Sequence, residues 1–413
     1  MERAAQALHH FLKERHDGRP LLAAISGGSD SLALLHLLAA SPYRPFVQVV
    51  HIDHGWREGS GREGEEVARL AEQLALPCHQ VAVALSPTEL GAREQRLEVY
   101  KHLLDKTGAQ AVLLAHHRDD LSETVFKRLV EGASLAKLAT MGPEAIVEGV
   151  LLWRPLLPFS RKELAHFPPI ASDPTNTSTR YHRGRLRSEL FPFLEGSLGR
   201  PIAPNLARLS GEAALLTDYL DEEAAPYLET LREGPLGCCL ELASPPHPFL
   251  LAHLVRRFAE RVGKVLSREE VEGAVALLRS GAANRTIGGL SLDRGRLLFL
   301  RPPLQVPPQP LALGTHRHGP WEVTVEPASG ARCSGWEGFW KGRVETVVPE
   351  GEYTLVSYPG GRRLSRLLTA HKVPAPLRMA LPTLVERATG EPIWWWAVNR
   401  SGWKISLELT QGV

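Results

Sequence analysis

Residues 21–31 read LLAAISGGSDS, and this stretch decides how the first part of the chain is interpreted. The apolar run 21–26 is typical of a buried strand, and the run 31–40 that follows is typical of a helix. Glycines between a strand and a helix let the main chain approach a phosphate, and the helix N-terminus offers free N–H groups. The sequence therefore predicts a phosphate-binding loop, called the phosphate loop below, formed by Ser26, Gly27, Gly28, Ser29, Asp30 and Ser31.

Asp30 is the member of this loop that cannot bind a phosphate directly, because its carboxylate is negatively charged. Its predicted role is to hold Mg²⁺, which prefers carboxylate and phosphate oxygens. The alternative is an ordinary glycine-rich turn in which Asp30 or Ser31 caps the helix. The spacing is not that of the Walker motif, GxxxxGK[ST].

Strand-like and helix-like runs alternate over the first 132 residues. The strand-like runs are 21–26, 46–53, 79–85 and 111–116, and the helical patterns are 31–40, 62–76, 93–108 and 120–132. Alternation at this spacing indicates βαβ units and predicts an α/β domain with a parallel sheet. Ligands of such folds bind at the carboxyl ends of the strands.

Two further groups are candidates for binding the nucleotide. His51 and Asp53 end the second strand, beside the phosphate loop, and we interpret them as nucleotide contacts. The alternative for them is a metal site shared with His54. Arg93 and Arg96 share one helix face and either stabilise phosphate charge or lie on a solvated surface.

The run 115–124, AHHRDDLSET, follows the fourth strand. Its candidates for holding a cationic substrate or accepting a proton are His117, Asp119, Asp120 and Glu123. Helix capping by the same carboxylates is the alternative. Two histidines and three carboxylates at one strand end exceed what capping needs, which favours a functional role.

Composition limits the classes of protein. The 413 residues carry 48 Lys and Arg against 46 Asp and Glu, and a net charge of +2 excludes bulk attraction to nucleic acid but not a local basic patch. Four cysteines without a CxxC motif exclude a zinc ribbon and a disulfide framework. The first residues read as an amphipathic helix rather than a signal peptide, so we expect a cytoplasmic protein without a membrane span.

The second half differs from the first in pattern. We predict a catalytic domain at 1–198, a mostly helical middle domain at 199–301, a Pro-rich linker at 302–310 and a small α+β domain at 311–413. A capping box at Ser267 and Glu270 begins one of the middle helices, and residues 290–300 predict a hairpin that turns at 293–295.

Two basic segments are candidates for binding RNA, because cationic and aromatic side chains together suit phosphate contact and base stacking. Solvated arginine-rich faces, and for the second segment a tryptophan core, are the alternatives. The candidates in 154–187 are Arg154, Arg180, Tyr181, Arg183 and Arg187, and those in 360–404 are Arg362, Arg363, Arg366 and Arg378.

The phosphate loop resembles the pyrophosphate-binding loop of the N-type ATP pyrophosphatases, whose fold is that of the adenine-nucleotide alpha hydrolases. Longer runs resemble the tRNA(Ile)-lysidine synthetase family, from HIDHGWR (51–57) and AHHRDDLSETVFKRLVEG (115–132) to SDPTNTSTRYHRGRLRSEL (172–190) and PGGRRLSRLLTAHKVPAPLRMALP (359–382). The chain departs from that family in a short stretch between Leu164 and Ser172, and in Gly184, where the family usually has Asn. These departures concern tRNA contact more than the chemistry.

The resemblance implies an ATP- and Mg²⁺-dependent ligase. Its tRNA substrate is tRNA(Ile) with a CAU anticodon, and free L-lysine is joined to C2 of the wobble cytidine through an adenylated tRNA intermediate, changing codon specificity from AUG to AUA. It implies catalytic roles for Asp30, Arg93 and Asp120. A tRNA thiolation enzyme with the same loop and a non-catalytic RNA-binding protein are the alternatives, and the oligomeric state is open, a homodimer being one option.

Overall fold

The computed structural model of the chain describes residues 2–53, 60–83, 89–164, 167–170, 182–234, 236–301, 308–318, 321–329, 338, 342–359, 361–371, 373–393 and 401–409. The chain forms two compact units, Met1–Thr217 and Asp218–Val413. The finer boundaries predicted from the sequence, at 198, 301 and 310, stay predictions.

The first unit contains the predicted parallel sheet. Its strands are β1 (Leu21–Ala24), β2 (Val47–Asp53), β3 (Cys78–Ala82), β4 (Ala111–Leu113), β5 (Glu144–Val147) and β6 (Val150–Trp153). They lie in the order β3-β2-β1-β4-β6-β5, and all neighbours are parallel except the β5–β6 hairpin. The α/β fold expected from the sequence is confirmed.

Helices precede, connect and follow these strands, and the last of them, Ala203–Leu228, continues into the second unit. They are α1 (Glu2–Arg15), α2 (Ser29–Ala39), α3 (Ser60–Gln73), α4 (Glu89–Thr107), α5 (Arg118–Val130), α6 (Arg161–Leu164), α7 (His182–Arg185), α8 (Phe191–Leu198) and α9 (Ala203–Leu228), with 3-10 turns at Arg44–Phe46 and Leu135–Leu138 and a π turn at Leu186–Leu190.

Side chains alternate along β1 between two buried layers. Leu21 and Ala23 join the core formed with α1, α2 and α3, whereas Leu22 joins the core that contains Leu97 and Leu103 of α4. Because successive residues of a strand face opposite sides, a strand covered on both faces must be apolar throughout. This explains the continuous apolar run before the phosphate loop.

The order of the strands determines where a ligand can bind. The chain passes from β1 outward to β2 and β3, and then returns to place β4 on the other side of β1. A reversal of this kind opens a crevice at the carboxyl ends of the two central strands. The phosphate loop follows β1 and the run 115–124 follows β4, so the fold brings both to this crevice.

The second unit contains a five-stranded sheet, of which the sequence predicted only one hairpin. Its order is β7-β8-β11-β10-β9, formed by β7 (Arg232–Gly234), β8 (Gly237–Glu241), β9 (Arg285–Ile287), β10 (Leu290–Asp293) and β11 (Arg296–Leu300), beside the helices α10 (Pro248–Arg261) and α11 (Arg268–Ser280). The predicted hairpin is present as β10 and β11, and the capping box at Ser267 and Glu270 begins α11. Strands of three to five residues are too short to show a period, so this part was expected to be mostly helical.

Within the described residues from 308 onward, two four-stranded sheets and one helix complete the second unit, in agreement with the predicted α+β character. The sheets have the orders β12-β16-β17-β18 and β13-β14-β19-β15, from β12 (Gln309–Pro310), β13 (Gly314–His318), β14 (Trp321–Ser329), β15 (Arg343–Val348), β16 (Tyr353–Val356), β17 (Thr383–Glu386), β18 (Pro392–Ile393) and β19 (Ser401–Leu409); the helix is α12 (Arg362–Ala370), and a 3-10 turn spans Ala375–Ala380. One apolar cluster contains Leu298 of β11 together with Trp321 of β14 and Leu364 of α12. The strands before and after the predicted linker therefore share a core.

None of the helices in the described ranges is long and apolar enough to cross a membrane.

Candidate active site at the ends of strands β1 and β4

The phosphate loop is shaped by its glycines. Gly27 has φ +86°, a conformation that side chains rarely adopt, and it lies buried against Val67 and Ile170. Gly28 is the N-cap residue of α2 and leaves this helix without a side-chain cap. Capping by Asp30 or Ser31, the alternative weighed above, is therefore not what the loop does. The N-terminal N–H groups of α2 remain available to an anion.

Hydroxyl groups hold the loop in this shape. Ser31 Oγ donates to the carbonyl oxygen of Gly28 at 2.8 Å, and Ser26 Oγ donates to Ser31 Oγ at 3.3 Å. The main-chain N–H of Ile170 donates to the carbonyl of Gly27 at 3.0 Å and fixes the loop from outside.

His117 lies fully buried between three carboxylates. Its Nε2 atom is 3.5 Å from Asp30 Oδ2 and 3.5 Å from Asp120 Oδ2, and its Nδ1 atom is 4.0 Å from Asp119 Oδ2. Burial alone would lower the pKa of His117, but Asp30, Asp120 and Asp119 outweigh burial and raise it. The three carboxylates therefore favour the charged form of the imidazole.

The Asp30 carboxylate is held as an anion by cations around it. Burial would raise its pKa, but His117, Arg161 and Arg187 outweigh burial and lower it. Arg161 Nε lies 3.6 Å from Asp30 Oδ1. The phosphate loop and the acidic residues after β4 therefore interact with the same cations, His117 and Arg187.

Asp120 has two partners at the start of α5. His117 is the N-cap residue, and its main-chain N–H donates to Asp120 Oδ2 at 3.1 Å. The other carboxylate oxygen, Oδ1, accepts from Arg187 Nη2 at 3.2 Å. The capping role considered from the sequence is present, and it uses only one of the two oxygens.

Arg187 also pairs with the buried Glu123. Its Nε donates to Glu123 Oε1 at 2.7 Å, and only 3% of Glu123 is exposed. Burial would lower the pKa of Arg187, but Glu123, Asp120 and Asp30 raise it. Arg187, predicted as a tRNA contact, therefore lies among the residues predicted to bind lysine. The acidic cluster, as we name it, contains Asp30, Asp119, Asp120 and Glu123.

Arg161 is a site residue that sequence reasoning missed. Its Nη2 donates to Ser29 Oγ at 3.4 Å, and its main-chain N–H donates to Asp119 Oδ2 at 2.9 Å. It thus joins the phosphate loop to the acidic cluster. The available signal was the S-x-x-E pattern at 160–163, a capping box that marks a helix start next to an arginine.

The other predicted nucleotide contacts lie at or near this edge of the sheet. His51 is buried, and its Nδ1 donates to the carbonyl oxygen of Ile25 at 2.9 Å, just before the phosphate loop. Asp53 is half-buried at the end of β2, and His54 lies outside the described residues. Arg93 is exposed on α4.

The predicted tRNA contacts occupy different environments. Arg154 is only 6% exposed and donates from Nη1 to the carbonyl oxygen of Gly142 at 2.9 Å; burial, and then the charge of Arg93, lower its pKa. Arg362 and Arg366 are exposed on α12. Arg378 donates to the main-chain carbonyls of Val373 and Ser365, near the end of that helix. Arg180 and Tyr181 lie outside the described residues, as do the side chains of Arg183 and Arg363.

A parallel sheet with a glycine-serine loop of this kind at its switch point defines a PP-loop ATP-binding protein, and the PP-loop domain family matches residues 1–194. The chain is 36% identical over 260 residues to a tRNA(Ile)-lysidine synthase of Chlamydia caviae, covering 60% of this chain and 81% of that protein. It is 33% identical over 291 residues to one of Chlamydia trachomatis serovar L2, covering 67% and 90%, and 29% identical over 400 residues to one of Protochlamydia amoebophila, covering 89% and 86%. The chain therefore belongs to the tRNA(Ile)-lysidine synthase family.

Among solved structures, the U34-tRNA thiolase NcsA from Methanococcus maripaludis with its [4Fe-4S] cluster matches with a TM-score of 0.41 at 15% identity. The match covers 52% of this chain and 78% of that one.

Proposed function

We propose that this chain joins lysine to C2 of the wobble cytidine of a CAU-anticodon tRNA(Ile), consuming ATP and releasing AMP and pyrophosphate. Membership of the family supports this activity. The observation that carries it in the structure is the juxtaposition of an uncapped, glycine-shaped helix N-terminus with an acidic cluster. The first suits the phosphates of ATP, and the second suits a cationic amine.

The first step adenylates the cytidine. The phosphate loop would hold the pyrophosphate leaving group through main-chain N–H groups and the hydroxyls of Ser26 and Ser29. Arg93 on α4 would stabilise developing phosphate charge, and His51 and Asp53 would line the nucleotide side of the crevice. The C2 oxygen of the cytidine then bonds to the α-phosphorus as the bond to pyrophosphate breaks. The base has to leave its stack for C2 to be reached.

Asp30 fits a role in holding Mg²⁺. Its Oδ1 atom is buried and accepts no hydrogen bond from the residues that the structure describes. In the same described ranges no three His, Cys, Asp or Glu side chains are arranged as a metal site, so the remaining ligands would be phosphate oxygens and water, as is usual for Mg²⁺. When bound, Mg²⁺ would screen the charges of the phosphates.

The second step transfers lysine. The acidic cluster has four carboxylates, and two guanidiniums, of Arg161 and Arg187, make ion pairs with it. Even with His117 protonated, four carboxylates face three cations, and the partly exposed side chains of Asp119 and Asp120 would accept the ε-ammonium of lysine. One carboxylate, which we assign to Asp120, takes a proton from this ammonium, the amine nitrogen bonds to C2, and the bond from C2 to the oxygen of AMP breaks. Asp119 would orient the amine, whereas the buried His117 and Glu123 would hold the carboxylates and Arg187 in place around it.

The tRNA would be held by both basic segments and by the C-terminal domain, 311–413. Exposed arginines on α12 suit phosphate contacts, which position RNA without reading its sequence. We expect the reaction to take place in the cytoplasm, where tRNA, ATP and lysine are present.

The test is product analysis. The protein is incubated with CAU-anticodon tRNA(Ile), ATP and lysine, and the nucleosides are then analysed by mass spectrometry. We expect lysidine and release of pyrophosphate, both dependent on ATP, and no lysidine when lysine is omitted. A thiolated nucleoside, or pyrophosphate release without any lysidine, would overturn the proposal.

A further inference from the structure

Arg161 is the only arginine or lysine among the described residues whose side chain contacts the phosphate loop. Its guanidinium donates to Ser29 Oγ at 3.4 Å and lies 3.6 Å from Asp30 Oδ1. The two contacts are made by different nitrogens, Nη2 and Nε. The guanidinium is only partly covered, with 37% of the side chain exposed, so it is accessible to a ligand of the loop.

The start of α6 is fixed in place, which determines where Arg161 points. Ser160 N–H donates to Glu163 Oε2 at 2.8 Å, and Glu163 N–H donates to Ser160 Oγ at 3.3 Å, a reciprocal capping box. The bonds from Ser160 lower the pKa of Glu163, which also pairs with Arg118 at 3.3 Å. The main-chain bond from Arg161 to Asp119 is a further anchor, and it does not depend on the guanidinium.

We propose that the Arg161 guanidinium binds the β- and γ-phosphates of ATP, the part that leaves as pyrophosphate. This inference rests on the proposed function, because it takes the phosphate loop as the site of that group. A guanidinium within hydrogen-bonding distance of Ser29 Oγ is within reach of any phosphate oxygen that this hydroxyl binds. Its planar set of donors matches two phosphate oxygens at once.

The proposal also explains how an acidic loop can bind an anion. Asp30 and the other carboxylates of the acidic cluster repel phosphates, and α2 contributes only the partial charge of its N-terminus. Arg161 adds a full positive charge on the side of the loop that faces the cluster. It therefore shields the phosphates from the carboxylates that bind the amine.

Binding of three probes separates a phosphate contact from a structural role. ATP, AMP and inorganic pyrophosphate are titrated with Mg²⁺ into the full-length protein by calorimetry, for the wild type and for Arg161→Ala, Arg161→Lys and Lys162→Ala. We expect Arg161→Ala to bind ATP and pyrophosphate about 10- to 100-fold more weakly than the wild type. This is the usual effect of losing charge-assisted hydrogen bonds. AMP lacks both phosphates, so its affinity should not change.

Two variants serve as controls. Lys162 is the next residue and is exposed, so Lys162→Ala removes the same charge from the same helix and should bind all three probes as the wild type does. Arg161→Lys keeps the charge but loses the planar donors, so it should recover part of the ATP affinity. The ATP KM of Arg161→Ala should rise while the lysine KM stays within about twofold of the wild type.

If Arg161→Ala lowers the affinities for ATP and AMP equally, Arg161 only shapes the loop, and the inference is wrong. Unchanged affinities for ATP and pyrophosphate would also overturn the inference. If thermal unfolding shows that Arg161→Ala does not fold, the same criteria are applied to Arg161→Lys and Arg161→Gln. Failure of the wild type to form lysidine overturns the proposed function, whereas the ratio of ATP to AMP affinity tests Arg161 alone.

Discussion

Replacing Asp120 by asparagine separates the two roles of this carboxylate. The amide oxygen of asparagine can still accept the N–H of His117, a bond of 3.1 Å, so the start of α5 is kept. The charge that faces Arg187 at 3.2 Å is lost, but Arg187 retains Glu123 at 2.7 Å. Because the side chains of Asp120 and Arg187 are 24% and 31% exposed, we expect a loss of about 1 kcal/mol in the free energy of unfolding. Asp120→Ala should lose about 1 kcal/mol more through the missing cap.

Asp120→Asn should weaken lysine binding by more free energy than it takes from the stability of the fold. A unit charge about 4 Å from a carboxylate near the protein surface is stabilised by about 4 kcal/mol before screening by solvent. With a quarter of the carboxylate side chain exposed, about 1 to 3 kcal/mol remains, which corresponds to a rise in the lysine KM of about 5- to 150-fold. ATP binding should change less than about threefold, because Asp120 lies on the α5 side of the crevice.

The assay is steady-state lysidine formation at varied lysine and at saturating ATP and tRNA, together with calorimetric titration of ATP. Glu131→Gln is the matched control, since it removes a carboxylate from the other end of α5, where Glu131 is exposed and lies 3.9 Å from Lys127. An Asp120→Asn protein with wild-type lysine KM and turnover would show that Asp120 is a helix cap and nothing more. An equal rise in the lysine KM of Glu131→Gln would show that the effect of Asp120→Asn does not depend on the position of the carboxylate.

Three further predictions follow from the same geometry. Asp30→Ala should fold and bind tRNA but lose at least about 100-fold in pyrophosphate exchange, because the ligand for Mg²⁺ is gone; a folded variant that exchanges normally would contradict the assignment. Replacing both Arg362 and Arg366 by alanine should flatten the dependence of log affinity for tRNA on log salt by roughly 0.7 to 0.9 per lost phosphate contact, measured by filter binding, with Arg343→Ala as the control on β15. Burial raises the pKa of the Cys78 and Cys238 thiols and also restricts access to them, so iodoacetamide should alkylate both more slowly in the folded protein at pH 8 than after unfolding, as followed by mass spectrometry; equal rates would contradict the burial of these thiols.

The first unit could be predicted because its signals are local. Apolar runs buried on both faces, separated by amphipathic helices, determine the alternation of β1 to β4 with α2 to α5. The hairpin of β5 and β6 and the strand β8 were missed, because four or five residues with a mixed pattern carry no readable period. For β8, residues 237–241 read GCCLE, and the strand forms through pairing with β11, more than fifty residues later in the chain.

The site could be predicted in part, for a related reason. The strand-end rule assigns the phosphate loop and the run 115–124 to one crevice without any knowledge of distances. It cannot identify partners from elsewhere in the chain. Arg161 and Ser29 are 132 positions apart, and nothing local to either residue indicates their contact. Arg187 was interpreted as an RNA contact because arginine near tyrosine suggests RNA, whereas its actual neighbours are two carboxylates of α5.

The proposed binding of an anion and a cation at one edge of the sheet rests on two helix N-termini with different surroundings. Both α2 and α5 begin there, and each presents a positive dipole end. At α5 this end is occupied by the chain itself, since Asp119 and Asp120 lie in its first turn and Asp120 accepts the N–H of His117. The positive dipole end attracts these carboxylates to the start of α5. At α2 the N-cap is a glycine without a side-chain cap, and the free N–H groups suit a phosphate. Acidic residues lie in the first turn of both helices, Asp30 at α2 and two residues at α5, so the difference between the two halves of the crevice is the glycine turn that precedes α2.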